Sequence, residues 1–131
     1  MKKKTVLIVE DELDMRIFIA TLLETSGYQP VMTRDGTEGM RKAKDVFPDL
    51  IILDVMMPGE GGVQMFRQLK TDDTLCSIPV IMLSAVAQKT FTHYLNMVNA
   101  RLKDPIPDPD AYIEKPPEAE DLLKMTASLI G

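Results

Sequence analysis

The sequence predicts an α/β fold: a doubly wound, five-stranded parallel sheet with helices on both faces. Three observations predict it. Short runs that are apolar throughout and rich in branched residues recur along the chain, as in strands buried on both faces. Stretches of helical length separate them, so that strand and helix alternate five times. Polar residues capable of chemistry follow four of those runs, at the end where open α/β sheets build their sites.

The elements follow in order. Val6–Val9 is the first strand, and Glu10, Asp11 and Glu12 come directly after it. Leu13–Thr25 is the first helix, with its broad apolar face assigned to Leu13, Ile17, Phe18 and Ala20 and its stop to Gly27. Pro30–Thr33 is a weaker second strand, and the Asp35-Gly36 turn leads into a helix over Thr37–Val46. The third strand is Leu50–Leu53, ending in Asp54, and a third helix covers Gly62–Lys70. Val80–Leu83, closed by Ser84, is the fourth strand; Thr90–Lys103 is the fourth helix. The proline-rich run from Asp104 to Asp110 cannot continue that helix and reads as a stiff loop. Ala111–Ile113 is a weaker fifth strand with Lys115 beyond it, and Pro116 and Pro117 precede the last helix, Glu118–Ile130.

A chain of 131 residues supports one core, so residues 1–131 are expected to form a single domain without an output domain. No apolar run reaches the length that spans a bilayer, and the basic start Met1–Lys4 leads into a strand in place of a signal-peptide core. A cytoplasmic location is the expectation. A single cysteine, Cys76, excludes an internal disulfide framework and a cysteine-built metal site. The net charge of −5 and pI of about 4.8 argue against direct contact with nucleic acid. Acids in place of a glycine-rich loop after the first strand exclude dinucleotide binding.

The strand ends bring Glu10, Asp11 and Asp54 together. Two carboxylates about 4 Å apart repel by roughly 4 kcal/mol at an effective dielectric of 20, so the cluster calls for a proton or a cation. An all-oxygen site with few carboxylates suits Mg2+, which keeps several waters and binds beside phosphate. A backbone carbonyl just past Asp54, that of Met56, is the natural further ligand. The Lys115 ammonium and the Ser84 hydroxyl, with the cation, can neutralise the outer oxygens of a transferring phosphoryl group. Asp54 is then the nucleophile that forms an acyl phosphate.

The runs V-L-I-V-E-D-E (Val6–Glu12), L-I-I-L-D-V-M-M-P-G (Leu50–Gly59), V-I-M-L-S-A (Val80–Ala85) and Y-I-E-K-P (Tyr112–Pro116) resemble the response-regulator receiver family, the CheY-like proteins of two-component signalling. The resemblance covers nearly the whole chain. It implies a flavodoxin-like fold in which Asp54 is the phosphoacceptor. Asp11 binds Mg2+ directly and Glu10 through water. Ser84 is the switch hydroxyl, Tyr112 the switch aromatic and Lys115 the phosphate-binding lysine. It implies a cis Lys115-Pro116 bond, a phosphoryl donor that is a sensor histidine kinase or a histidine phosphotransfer protein, and hydrolysis as the only later reaction. The downstream target is expected on the face of the fourth helix, fifth strand and fifth helix, with a homodimer contact as a further possibility. Apolar Met56 and Val86 beside the site predict a long-lived phosphoryl group, since neither side chain can orient water. One departure stands out. Ser84 and Lys115 are 31 positions apart, more than is usual in the family, and the extra length falls within Thr90–Asp110.

Two other functions fit the residues less well. A haloacid-dehalogenase-like phosphatase needs a second Asp two residues after the nucleophile, where this chain has Met56. A pseudo-receiver, an interaction module without phosphorylation, would not keep Asp11, Asp54, Ser84 and Lys115 together. His93 lacks a nucleotide site that would make it a phosphodonor and reads as a surface or packing residue. Cys76 reads as a loop residue without a role.

Overall fold

The structure, a computed structural model, describes residues 2–55 and 61–131. Five strands, β1 (Thr5–Val9), β2 (Gln29–Thr33), β3 (Leu50–Asp54), β4 (Val80–Ser84) and β5 (Ala111–Glu114), form one parallel sheet in the order β2-β1-β3-β4-β5. The helices are α1 (Leu13–Thr25), α2 (Gly36–Val46), α3 (Gly61–Thr71), α4 (Gln88–Asn99) and α5 (Ala119–Ile130). The doubly wound fold class therefore holds, with element ends within a few residues of those expected.

The central strands β3 and β4 are buried at every position, which is why their sequences are apolar throughout. Successive side chains point to opposite faces, so each strand feeds two cores. Leu7, Val9, Ile51, Leu53 and Met82 face Phe66, Leu69, Phe91 and Leu95 of α3 and α4. Val6, Ile8, Leu50, Ile52, Ile81 and Leu83 face Ile19, Leu23 and Leu122 of α1 and α5.

Two expectations are corrected. The sequence assigns the apolar face of α1 to Leu13, Ile17, Phe18 and Ala20, but only Ala20 of these is buried. Its neighbours in the core are Ile19 and Leu23, while Leu13, Ile17 and Phe18 are 57%, 49% and 42% exposed. Apolar residues lie almost all round this helix, so periodicity alone cannot choose the buried stripe; contact with the sheet chooses it. The sequence also places the fourth helix over Thr90–Lys103, whereas α4 begins at Gln88 and ends at Asn99. The extra length of the chain therefore lies after the helix, in residues 100–110.

That segment is fastened to the fold. The Asn99 carboxamide donates to the Ile106 carbonyl and accepts from the Ile106 N–H, both at 2.8 Å. Ile106 itself is buried in the core against α4. At the far end the Val80 N–H donates to the Asp110 carboxylate at 2.8 Å, and the Asp110 N–H donates to the Val80 carbonyl at 3.1 Å. The Lys70 ammonium donates to the carbonyls of Cys76 and Ile78 and lies 3.8 Å from Asp110. Proline in this run removes backbone donors, so few such bonds are available, and side chains supply them.

Candidate phosphoacceptor and metal site

Sheet order places the site. The chain reverses direction across the sheet between β1 and β3, and open α/β sheets bind ligands at that crevice, beyond the carboxyl ends of the strands. Glu10 and Asp11 follow β1, and Asp54 ends β3. One oxygen from each of these three carboxylates lies within 4.8 Å of the others.

Lys115, just past β5, reaches the same point. Its ammonium is 2.9 Å from Glu10 Oε1 and 2.9 Å from Asp54 Oδ1. Its backbone N–H donates to the Ser84 carbonyl at 2.8 Å, which ties the end of β5 to the end of β4. The Lys115-Pro116 bond is cis, as expected.

One ammonium faces three carboxylates, two of them buried. Burial is the main force pushing the Asp54 carboxyl up, to about 7; the negative Glu10 adds to it and Lys115 opposes it. Burial also pushes Asp11 upward, but its hydrogen bonds to Asp54 and Glu10 outweigh that and leave it below the usual carboxylate range. Burial lowers Lys115, yet contact with Glu10 and Asp54 prevails and raises it, so the ammonium stays charged. Glu10 Oε1 and Asp54 Oδ1 are both buried and share the single Lys115 ammonium. Three clustered carboxylates against that one positive charge, with Asp11 exposed beside the buried pair, fit a divalent cation with oxygen ligands. Residue 56 lies outside the described residues, so neither its carbonyl nor its side chain is placed.

Glu10 is held on every side. Its N–H donates to the Thr33 carbonyl at 3.1 Å, and the Glu12 N–H donates to its Oε2 at 3.1 Å. The Arg16 guanidinium donates to its backbone carbonyl at 2.9 Å. Sequence reasoning missed Arg16. Its only signal is a position one helical turn past the acidic loop, which many surface arginines share.

Ser84 is fully buried, and its hydroxyl oxygen accepts from the Val86 N–H at 3.0 Å. The Tyr112 hydroxyl donates to the Val86 carbonyl at 2.5 Å, and its ring packs 5.3 Å from that of Phe91. The backbone of Val86 thus joins Ser84 to Tyr112. No side-chain signal could have revealed this. Tyr112 is already buried in this arrangement, not waiting outside.

The start of α3 explains a further choice. A Cβ at Gly62 would stand 2.5 Å from the Asp54 carbonyl oxygen and 3.1 Å from the Val55 Cα. Glycine there lets the helix approach the backbone that carries Asp54. His93 and Cys76 are exposed and remote in sequence from this cluster, in line with their plain readings.

Comparison with known proteins agrees with this geometry. Residues 6–127 match the response regulator receiver domain. The polar-differentiation response regulator DivK of Brucella anthropi is 36% identical over 129 residues, covering 98% of this chain and 97% of that protein. A signal receiver domain of a signal transduction histidine kinase from Syntrophus aciditrophicus is 31% identical, with a TM-score of 0.79 over 97% of this chain and 89% of that one. The chemotaxis protein CheY4 of Vibrio cholerae, at 24% identity, shares the fold with a TM-score of 0.81 over 98% of this chain and 99% of that one. With a Mg2+-type acidic triad at the switch point of its sheet, this chain belongs to the response-regulator receiver family and is a phosphoacceptor domain whose chemistry is performed on itself.

Proposed function

We propose that Asp54 is the residue that takes the phosphoryl group, from a phosphohistidine on a sensor kinase or histidine phosphotransfer protein. The observation that carries this is the Lys115 ammonium 2.9 Å from Asp54 Oδ1, at the end of a fully buried strand. An Asp54 oxygen attacks phosphorus, the P–N bond to the donor imidazole breaks, and that nitrogen keeps the electron pair and takes up a proton. Mg2+, when bound, would supply positive charge against the phosphoryl oxygens; Asp11 and Asp54 would hold it directly and Glu10 through water, while the expected Met56 carbonyl lies outside the described residues. Lys115 pairs with a phosphoryl oxygen, and the Ser84 hydroxyl turns from the Val86 N–H to donate to another. These contacts favour the transferring group over bulk water. Because Tyr112 and Ser84 share the Val86 backbone, movement of Ser84 is felt at Tyr112 and so on the face of α4, β5 and α5, where the downstream target binds.

Exposed Leu13, Ile17 and Phe18 on α1, beside the acidic loop, support docking of the donor's apolar helix next to its phosphohistidine. A cytoplasmic location belongs to the same proposal, since the donor kinase draws its phosphoryl group from ATP. Among the described residues, no helix is long and apolar enough to cross a membrane.

Incubation with acetyl phosphate and Mg2+, followed by mass spectrometry, tests the assignment. One phosphoryl adduct at Asp54 is expected, lost in Asp54→Asn and formed slowly in Asp11→Ala with weakened Mg2+ binding. Full labelling of Asp54→Asn refutes the acceptor, and normal labelling of Asp11→Ala refutes the metal role.

A further inference from the structure

The loop between β1 and α1 delivers two of the three clustered carboxylates, and its backbone is braced from α1. Glu10 leaves the sheet with its N–H pinned to the Thr33 carbonyl at 3.1 Å. Its own carbonyl accepts from the Arg16 guanidinium at 2.9 Å. That carbonyl and the Asp11 N–H are the two ends of one planar peptide, so a bond that fixes the first also fixes the second. The Asp11 N–H is in turn among the groups that favour the ionised Asp11 carboxylate. A path of bonded groups therefore runs from the guanidinium to the one exposed acid of the triad.

Arg16 is placed for this contact. Its N–H donates to the Glu12 carbonyl at 3.0 Å, so it sits in the first closed turn of α1. Helical side chains lean toward the N-terminus of their helix, and this one reaches back over the start of α1 to the loop. Arg16 is half-buried, and among the described residues it forms no ion pair, although Glu12 and Asp14 are close to it in sequence. Its contact is with backbone, and a planar guanidinium fixes the direction of such a bond better than a mobile ammonium does.

From this geometry we infer that Arg16 is a positioning residue for the metal: by holding the Glu10–Asp11 peptide, it aims the Asp11 carboxylate at the point shared with Asp54 where Mg2+ would bind. The inference rests on the Mg2+ role of the acidic triad. A brace matters most at Asp11, because Glu10 and Asp54 are buried and each is held 2.9 Å from the Lys115 ammonium, whereas Asp11 is exposed. Groups that orient a metal ligand govern affinity without touching the ion. Charge alone predicts the opposite sign: a guanidinium beside the triad repels Mg2+, so its removal would tighten binding.

Titration of the full, unphosphorylated 15N-labelled chain with MgCl2, followed at the Asp11 and Asp54 amides, tests this. Arg16→Met keeps the apolar stem and removes donors and charge; it should weaken Mg2+ binding about tenfold. Arg16→Lys, which keeps the charge and a donor, should recover part of that loss. In labelling by acetyl phosphate, Arg16→Met should need about tenfold more Mg2+ to reach half its maximal rate, and that maximal rate should match the unaltered chain's. Where Arg16→Met does not fold, Arg16→Gln, also neutral and shorter, takes its place. Mg2+ binding by the neutral variant as tight as that of the unaltered chain, or tighter, overturns the inference. So does an Arg16→Lys chain that binds as weakly as the neutral variant, or a maximal rate that stays low, which would put the effect on Asp54. Absence of saturable Mg2+ shifts in the unaltered chain is a different failure: it refutes the metal role of the triad, and this inference falls with it.

Discussion

Replacing Asp54 with asparagine should stabilise the fold, and by an amount that depends on pH. An ordinary aspartate ionises at 3.8, whereas burial and the neighbouring Glu10 move Asp54 to about 7 in the folded chain. Between these values the folded state holds a proton that the unfolded state has released. Stability contributed by this group is therefore full below pH 3.8 and is lost as pH rises toward 7. Each pH unit costs at most about 1.4 kcal/mol, so from pH 5 to pH 8 the loss has a ceiling of about 3 kcal/mol. Coupling to Asp11, Glu10 and Lys115 spreads the titration and reduces that figure. The carboxamide of the variant cannot ionise and escapes the loss. Without Mg2+, Asp54→Asn should exceed the original protein in stability by about 1–3 kcal/mol at pH 8 and by clearly less at pH 5. Urea unfolding followed by far-ultraviolet circular dichroism gives both values; the chain has no tryptophan to report by fluorescence. Saturating Mg2+ should narrow the gap at pH 8, because it stabilises only the chain with the full carboxylate set. A variant less stable than the original at pH 8, or a gap that is the same at both pH values, would refute the electrostatic account of the site.

Further outcomes follow from the same contacts. Gly62→Ala places a methyl group against the Asp54 carbonyl and must push α3 away. It should lower stability by about 1–3 kcal/mol and slow labelling by acetyl phosphate, and an unchanged rate would show that α3 does not position Asp54. Asn99→Ala leaves the buried Ile106 N–H and C=O without partners, so stability should fall by about 1–3 kcal/mol. Hydrogen exchange should then rise at Ile106 while the Asp54 adduct still forms, and unchanged exchange there would mean that the 100–110 segment is held by packing alone.

Much of this protein was determined by sequence alone. Local apolar runs with fixed periods specify strands and helices, so the fold class and the strand ends at Glu10, Asp54, Ser84 and Lys115 could be read directly. The acidic set could be read too, because like charges delivered to one sheet edge demand a cation whatever the details. Tertiary structure decided what periodicity leaves degenerate. Along α1, apolar residues lie on nearly every side, and only contact with the sheet selected Ile19, Ala20 and Leu23 for the core and left Leu13, Ile17 and Phe18 outside. The end of α4 at Asn99 followed from a side chain reaching forward to Ile106, a contact between residues seven apart that no helical period encodes. The Val86 link between Ser84 and Tyr112 runs through backbone groups that every residue possesses, so the sequence carries no mark of it. The elevated Asp54 carboxyl needed both burial and the approach of Glu10, two distances set only when β1 and β3 lie side by side.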